Sequence, residues 1–519
     1  MLRLTWVQPE DLLGHEIRQA RQDGREPGAV EARWKAAGGA DAPERAGASP
    51  DRVSRYLRQL AEDLLDELAD LPSRLNEPTD LDAIKSLCPQ WPNAQQGGRC
   101  GPSCDRGCDV VARAVPRTPD GALPGRVSHS CGQSYLSRSP KDLGGPPSGT
   151  GGRGGTLPAP VSDTRAAPTP RAYHAAWLGR AVGCLLGKPV EKLPLHAIRE
   201  LAQAAGNWPL NHYFTARGVP AELLAAHPWN RRSAATSLVE NMDGMPEDDD
   251  LNYPLLNLLL LQRHTRAFTT TDVAALWLDE LPAGRTFTAE RVAYRNLLTG
   301  VEPPHTARHR NPFREWIGAL IRADVHGWTN PGDPAAAAEQ AHRDAVLTHT
   351  ANGVYAAMFT AATIATAAGG THDVHGCLRS GRTVIPPRSR VAQAIDQAIR
   401  LAETHEDFET VVAELHRTHS PTHHWVHAIP NTALIAAALT HAGGDFTGSV
   451  CRAVSGGWDT DSNGATAGSV AGLLAGDPDA LPDRWTTPLK NRLATSVAGF
   501  DGTGFDTLAH LTHLEATRP

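Results

Sequence analysis

Residues 175–187 read AAWLGRAVGCLLG, and this stretch decides the fold class. Its apolar residues recur every three to four positions, the period of a helix, without the two-residue alternation of a half-buried strand. Gly179, Gly183 and Gly187 fall at i, i+4 and i+8, so one stripe of this helix is bare and a neighbouring element can come close. Pro189 pushes the residue before it out of the α region, so the helix ends there and Glu191 is presented just past its end.

The same texture runs downstream. LLNLLLLQRHT (255–265), VYAAMFTAATIATAA (354–368), ALIAAALTHA (433–442) and ATAGSVAGLLAG (465–476) all carry apolar and small residues at helical spacing. Residues 170–519 are therefore expected to form one all-α domain, with Ala and Gly on the helices favouring close helix–helix approach. Upstream, residues 1–95 predict a small helical N-terminal unit. LAEDLLDELADL (60–71) places leucines on one face and acids on the other, and TWVQPEDLLGHEIRQARQDG (5–24) opens with a Pro-Glu-Asp helix start. No catalytic constellation is visible there, and a docking or regulatory segment is the expectation. Residues 96–169 are rich in Gly, Pro, Ser and Thr and poor in apolar residues, the composition of a disordered linker or insertion. Cys100, Cys104 and Cys108 within it lack the paired C-x2-C spacing of a zinc site.

Lys and Arg number 50 against 57 Asp and Glu, a net charge of −7, which gives no general attraction for nucleic acid or an anionic membrane. No apolar run reaches the roughly 18 residues of a membrane span, and the first residues lack a signal-peptide core, so a cytoplasmic protein is expected. Cys184, Cys377 and Cys451 sit in small-residue apolar segments and read as buried hydrophobes.

Two acidic clusters carry the chemistry. Glu247-Asp248-Asp249-Asp250 stands directly before an apolar helix. A helix N-terminus relieves part of the repulsion among four adjacent carboxylates, and a hard divalent cation relieves more, by taking several of their oxygens at once. A solvated acidic first turn is the plainer alternative. The second cluster is Gly456-Gly457-Trp458-Asp459-Thr460-Asp461-Ser462-Asn463, a Gly-rich turn entering a helix. Asp459 and Asp461 flank one residue and can converge on a cation with a neutral hydroxyl oxygen beside them, or serve as a turn and helix cap.

GRAVGCLLGKPVE, EDDDLNY and GGWDTDSNGATAG, in that order, resemble the signature segments of the ADP-ribosylglycohydrolases, the family that includes dinitrogenase-reductase-activating glycohydrolase. The resemblance spans about residues 172–500. It implies an orthogonal bundle of α-helices and a binuclear Mg2+ or Mn2+ centre in a central cleft. It implies further that Asp248, Asp249, Asp250, Asp459, Asp461 and Ser462 hold the metals, and that Glu191 and Asp249 are catalytic. Leu251 stands where the family has threonine, which leaves open a register one residue earlier, over Glu247–Asp249. Gly457 and Trp458 lie beside the metals, where the indole could stack on ribose or adenine or close over the core. His349 and Asn352, in a helix-opening segment, are candidate substrate contacts, because free N–H groups at a helix start suit a diphosphate. His423, His424 and His427 lack nearby acids or cysteines and are set aside as a zinc site.

The implied substrate is an ADP-ribosylated protein side chain or small molecule, cleaved at a glycosidic bond. Two other classes share these features: a non-catalytic ADP-ribose-binding or structural protein on the same bundle, and a metal-dependent phosphohydrolase, which would release phosphate or AMP.

Overall fold

The computed structural model describes residues 3–42, 52–92 and 168–518. Among them every regular element is a helix, and the extended pairing amounts to two isolated bridges, Met245 with Leu493 and Trp316 with His427. The all-α architecture is the one the apolar spacing predicts. The Gly/Pro-rich segment and its cysteines lie outside the described residues, apart from Pro168 and Thr169.

Four helices precede residue 92: α1 (Pro9–Gln22), α2 (Gly28–Ala36), α3 (Arg55–Asp70) and α4 (Leu81–Leu87). Six later helices frame the core: α5 (Pro170–Gly187), α6 (Asp249–His264), α7 (Ala351–Ala368), α8 (Arg390–Thr404), α9 (Ala428–His441) and α10 (Thr460–Ala475). α5 starts where Thr169 accepts a hydrogen bond from the Ala172 N–H and Pro170 takes the first turn. It ends in a short 3-10 turn at Lys188–Val190, as Pro189 requires. α7 is buried from Asn352 to Ala368, consistent with an apolar pattern that runs all round the helix.

α5 and α10 pack backbone against backbone. A Cβ added at Gly179 would strike the Gly468 carbonyl, one at Gly183 the Gly464 carbonyl, and one at Gly187 the backbone at Thr460 and Asp461. The bare stripe is thus matched by a second stripe, Gly464, Gly468 and Gly472, on α10. This contact fixes the end of α5 against the start of α10.

The described residues on both sides of segment 95–164 fall in one compact unit. α1 buries Leu12, Leu13 and Ile17, and α3 buries Leu64, Leu65 and Leu68. Arg314 clamps Glu16 of α1 with two hydrogen bonds of 2.6 and 2.9 Å and reaches Asp23 at 2.5 Å. Glu77 accepts from Arg390 at 2.6 and 2.9 Å and from Asn352 at 2.7 Å. These pairs are largely buried, so removing one partner would strand a charge away from water.

The glycine contact is testable. Gly183→Ala forces a methyl into backbone that has no flexible end to yield, an overpacking cost of about 1–3 kcal/mol. Gly284, with no atom within 4 Å of an added Cβ, is the control. Urea unfolding should show a lower midpoint for Gly183→Ala and none for Gly284→Ala; equal midpoints for both would contradict the packing.

Candidate metal centre and cleft

The end of α5 and the starts of α6 and α10 meet at one point. The Thr460 hydroxyl donates to the Gly187 carbonyl at 2.8 Å, and the Ser462 hydroxyl to Asp250 Oδ2 at 3.3 Å. Asp248 caps α6 by accepting from the Asp250 N–H at 2.9 Å. The sequence-separated acids are thereby gathered into two groups whose ligand atoms lie within 4.8 Å of one another: Cys184 with Asp248 and Asp250, and Glu191 with Asp459 and Asp461. Asp249 is electrostatically part of the same crowd, facing the charges of Asp248, Asp461 and Glu191.

Cationic compensation is partial. Arg180, fully buried in α5, donates to the Asp250 carbonyl at 2.7 Å and to Asp324 at 2.8 Å, and approaches the Asp250 carboxylate at 3.3 Å. Lys188 Nζ pairs with Asp248. Glu191 is held by Lys192 Nζ at 2.7 Å and by Asn230 Nδ2 at 2.5 Å. The remaining carboxylates have each other for neighbours. Removal from water, then the charges of Asp248, Asp461 and Glu191, push Asp249 well above the usual carboxylate range. Asp250 is raised by burial and by Asp248, against the pull of Arg180. Asp459 is raised by burial, Asp461 and Glu191; burial and Glu191 bring Asp461 to about 7. Asp248 goes the other way: burial would raise it, but the Lys188 ammonium outweighs that.

An all-carboxylate and hydroxyl set with surplus negative charge fits hard divalent cations, which take oxygen ligands and relieve the repulsion. The nearby Cys184 thiol is pushed up by burial and the adjacent acids, and stays a protonated, apolar neighbour. Glu247, the alternative first ligand, is engaged elsewhere: it pairs with Arg285 at 2.8 Å and accepts from Asn252 at 3.2 Å and the Ser496 N–H at 3.1 Å.

The acids line a cleft of about 870 Å³ that also includes Lys192, Asn230, Arg232, Phe287 and Trp425. The other expected contacts lie off it. Trp458, in the left-handed region at φ +59°, stacks on His416 with ring centroids 4.1 Å apart and 9° between planes. Gly457 makes the preceding turn with φ +79°. His349 is buried and bonds Thr348 Oγ1 through Nδ1 at 2.6 Å. Asn352 is committed to Glu77, Glu315 and the Val391 N–H. The helix start that suits a diphosphate already has a carboxylate: Glu315 accepts from the Asn352 N–H at 3.1 Å, and Thr79 from the Ala351 N–H at 3.1 Å. His424 stacks on Trp316 at 4.4 Å, and His427 caps α9.

Lys188, Lys192, Asn230 and Arg180 are site residues that the sequence did not single out. Lys188 stands inside the quoted GKPVE motif, where a lysine next to predicted acids was an available signal. Asn230 had none, lying 39 positions from its partner.

The family model of the ADP-ribosylglycohydrolases matches residues 166–517. The chain belongs to the ADP-ribosylglycohydrolase family, a family of hydrolases. No curated protein matches the chain. A solved structure of an ADP-ribosylglycohydrolase-related protein complex is similar at 19% identity and a TM-score of 0.42, covering 67% of this chain and 97% of that one. Among the described residues no helix is long and apolar enough to cross a membrane.

Three outcomes follow from the crowded acids. Because Asp249, Asp250, Asp459 and Asp461 hold protons more tightly folded than unfolded, the metal-free protein should lose stability as pH rises from about 4 towards 7, the window between the unfolded and folded values of Asp461. Saturating Mg2+ or Mn2+, which binds the ionised carboxylates, should raise the melting temperature most at the upper end of that window. Asp461→Asn should raise the melting temperature in chelator and abolish the metal-induced rise. A metal-independent melting temperature in the unsubstituted protein would remove the metal assignment.

Proposed function

We propose that this chain hydrolyses an ADP-ribosyl N- or O-glycosidic bond, releasing ADP-ribose from a modified protein side chain or a small molecule. The observation that carries the proposal is the convergence of Glu191, Asp248–Asp250 and Asp459–Asp461 on one cleft, at the junction that the α5–α10 contact locks. The family match is to hydrolases, which favours turnover over binding alone.

Asp248, Asp249, Asp250, Asp459, Asp461 and Ser462 are proposed to hold two Mg2+ or Mn2+ ions. When bound, these ions would supply positive charge that orients the ribose hydroxyls and the attacking water. The protein side chains do the rest. Cleavage at the anomeric carbon passes through an oxocarbenium-like state, with the C1′–N or C1′–O bond breaking as the bond to water oxygen forms. Glu191, its oxygens fixed by Asn230 and Lys192, is oriented to take the proton from that water. Asp249 lies among these acids at the start of α6 and, where it does not ligate a metal, is placed to give a proton to the departing atom. The cleft volume of about 870 Å³ is in the range that encloses a ligand of this size.

The test is release of free ADP-ribose from arginine- and serine-linked ADP-ribosyl peptides, with and without Mg2+ or Mn2+. Metal-dependent release on at least one linkage, lost in the Asp459→Ala/Asp461→Ala variant, is expected. Glu191→Gln should lower kcat by about 10²-fold or more, the scale of general acid–base catalysis. Binding of ADP-ribose without release from either linkage would favour the binding-module alternative; liberation of AMP or phosphate would favour the phosphohydrolase.

A further inference from the structure

The N-terminal helical unit lies outside the residues that match the family, yet its leading segment reaches the cleft: Thr5 and Trp6 line it together with Phe287 and the metal-site acids. Several independent features mark Trp6. Its backbone is in the left-handed region, at φ +62°, a conformation that bulky side chains avoid unless their surroundings hold them there. Its ring meets Phe287 edge-on at 5.6 Å, and the Arg291 guanidinium sits over it at 5.0 Å. Arg291 also donates to Thr5 Oγ1 at 2.9 Å, fixing the segment from the bundle side. The indole Nε1–H is buried and has no acceptor. A buried donor left unmet is costly unless something completes it.

The segment is also held firmly. Arg3 pairs with Glu10 at 2.9 Å at the start of α1, and α1 is clamped through Glu16 and Asp23 by Arg314. A strained aromatic residue anchored at the wall of a cleft has the chemistry to pack against a planar heteroaromatic base.

We infer that Trp6 is a specificity-determining residue of the cleft, forming with Phe287 an aromatic wall against which the base of an ADP-ribosyl substrate packs. The inference rests on the proposed ADP-ribosyl substrate and adds that the N-terminal unit is part of the substrate site. The wall would read the base and not the ribose or phosphate.

Calorimetry in Mg2+ with two probes, ADP-ribose and ribose 5-phosphate, tests this on the full chain. Ribose 5-phosphate shares the sugar and a phosphate but lacks the base. Trp6→Ala should weaken ADP-ribose about ten-fold, the scale of an aromatic–base contact. It should leave ribose 5-phosphate binding unchanged. Trp6→Phe, which keeps an aromatic ring, should recover part of the loss, and it stands as the informative variant if Trp6→Ala unfolds. Unchanged ADP-ribose affinity in both variants, or equal weakening of both probes, would overturn the inference while leaving the proposed activity intact. A wild-type protein that binds neither probe would overturn both.

Discussion

The approach of α5 to α10 is the constraint on which the site depends. Facing glycines let the two backbones touch, and no other residue fits at Gly183 or Gly464 without moving a carbonyl. That contact places the exit of α5, with Lys188 and Glu191, beside the entry of α10, with Asp459 and Asp461. α6 is tied in by Arg180, which spans from α5 to the Asp250 backbone and to Asp324. Three segments far apart in sequence thus deliver their acids to one place, and they do so on helix ends, where position is set by the packed bundle and not by loop conformation.

The electrostatics follow from that geometry. Packing energy holds together carboxylates that would separate in water, and Lys188, Lys192 and Arg180 offset only part of the charge. The imbalance shows in opposite displacements: Asp248, beside an ammonium, is held low, while Asp249, Asp250 and Asp459 are driven up. A site arranged this way stores unfavourable charge that a divalent cation would discharge, which would link metal binding to stability.

The all-α class was legible because the helical period is local, and the glycine stripe of α5 announced a close neighbour, though not which one. The acids were legible as clusters, and the ordered motifs named the family. What escaped were relations between distant residues. Trp458 meets His416, 42 positions earlier, so nothing beside it in sequence tells that its face is already covered. The start of α7 looks open to an anion, yet Glu315 reaches it from a separate turn. The N-terminal helices have an amphipathic pattern that is the same whether the apolar face meets its own unit or the bundle. Their anchors, Glu16, Asp23 and Glu77, find their partners Arg314 and Arg390 291 to 313 positions downstream, beyond the reach of local pattern.

The gathered carboxylates are proposed to form a two-cation centre. Anomalous diffraction from crystals grown with Mn2+ tests it most directly. Two peaks within coordination distance of the Asp248–Asp250 and Asp459–Asp461 carboxylates are the predicted result. Peaks only elsewhere on the chain, or none at saturating Mn2+ with those side chains ordered, would contradict it.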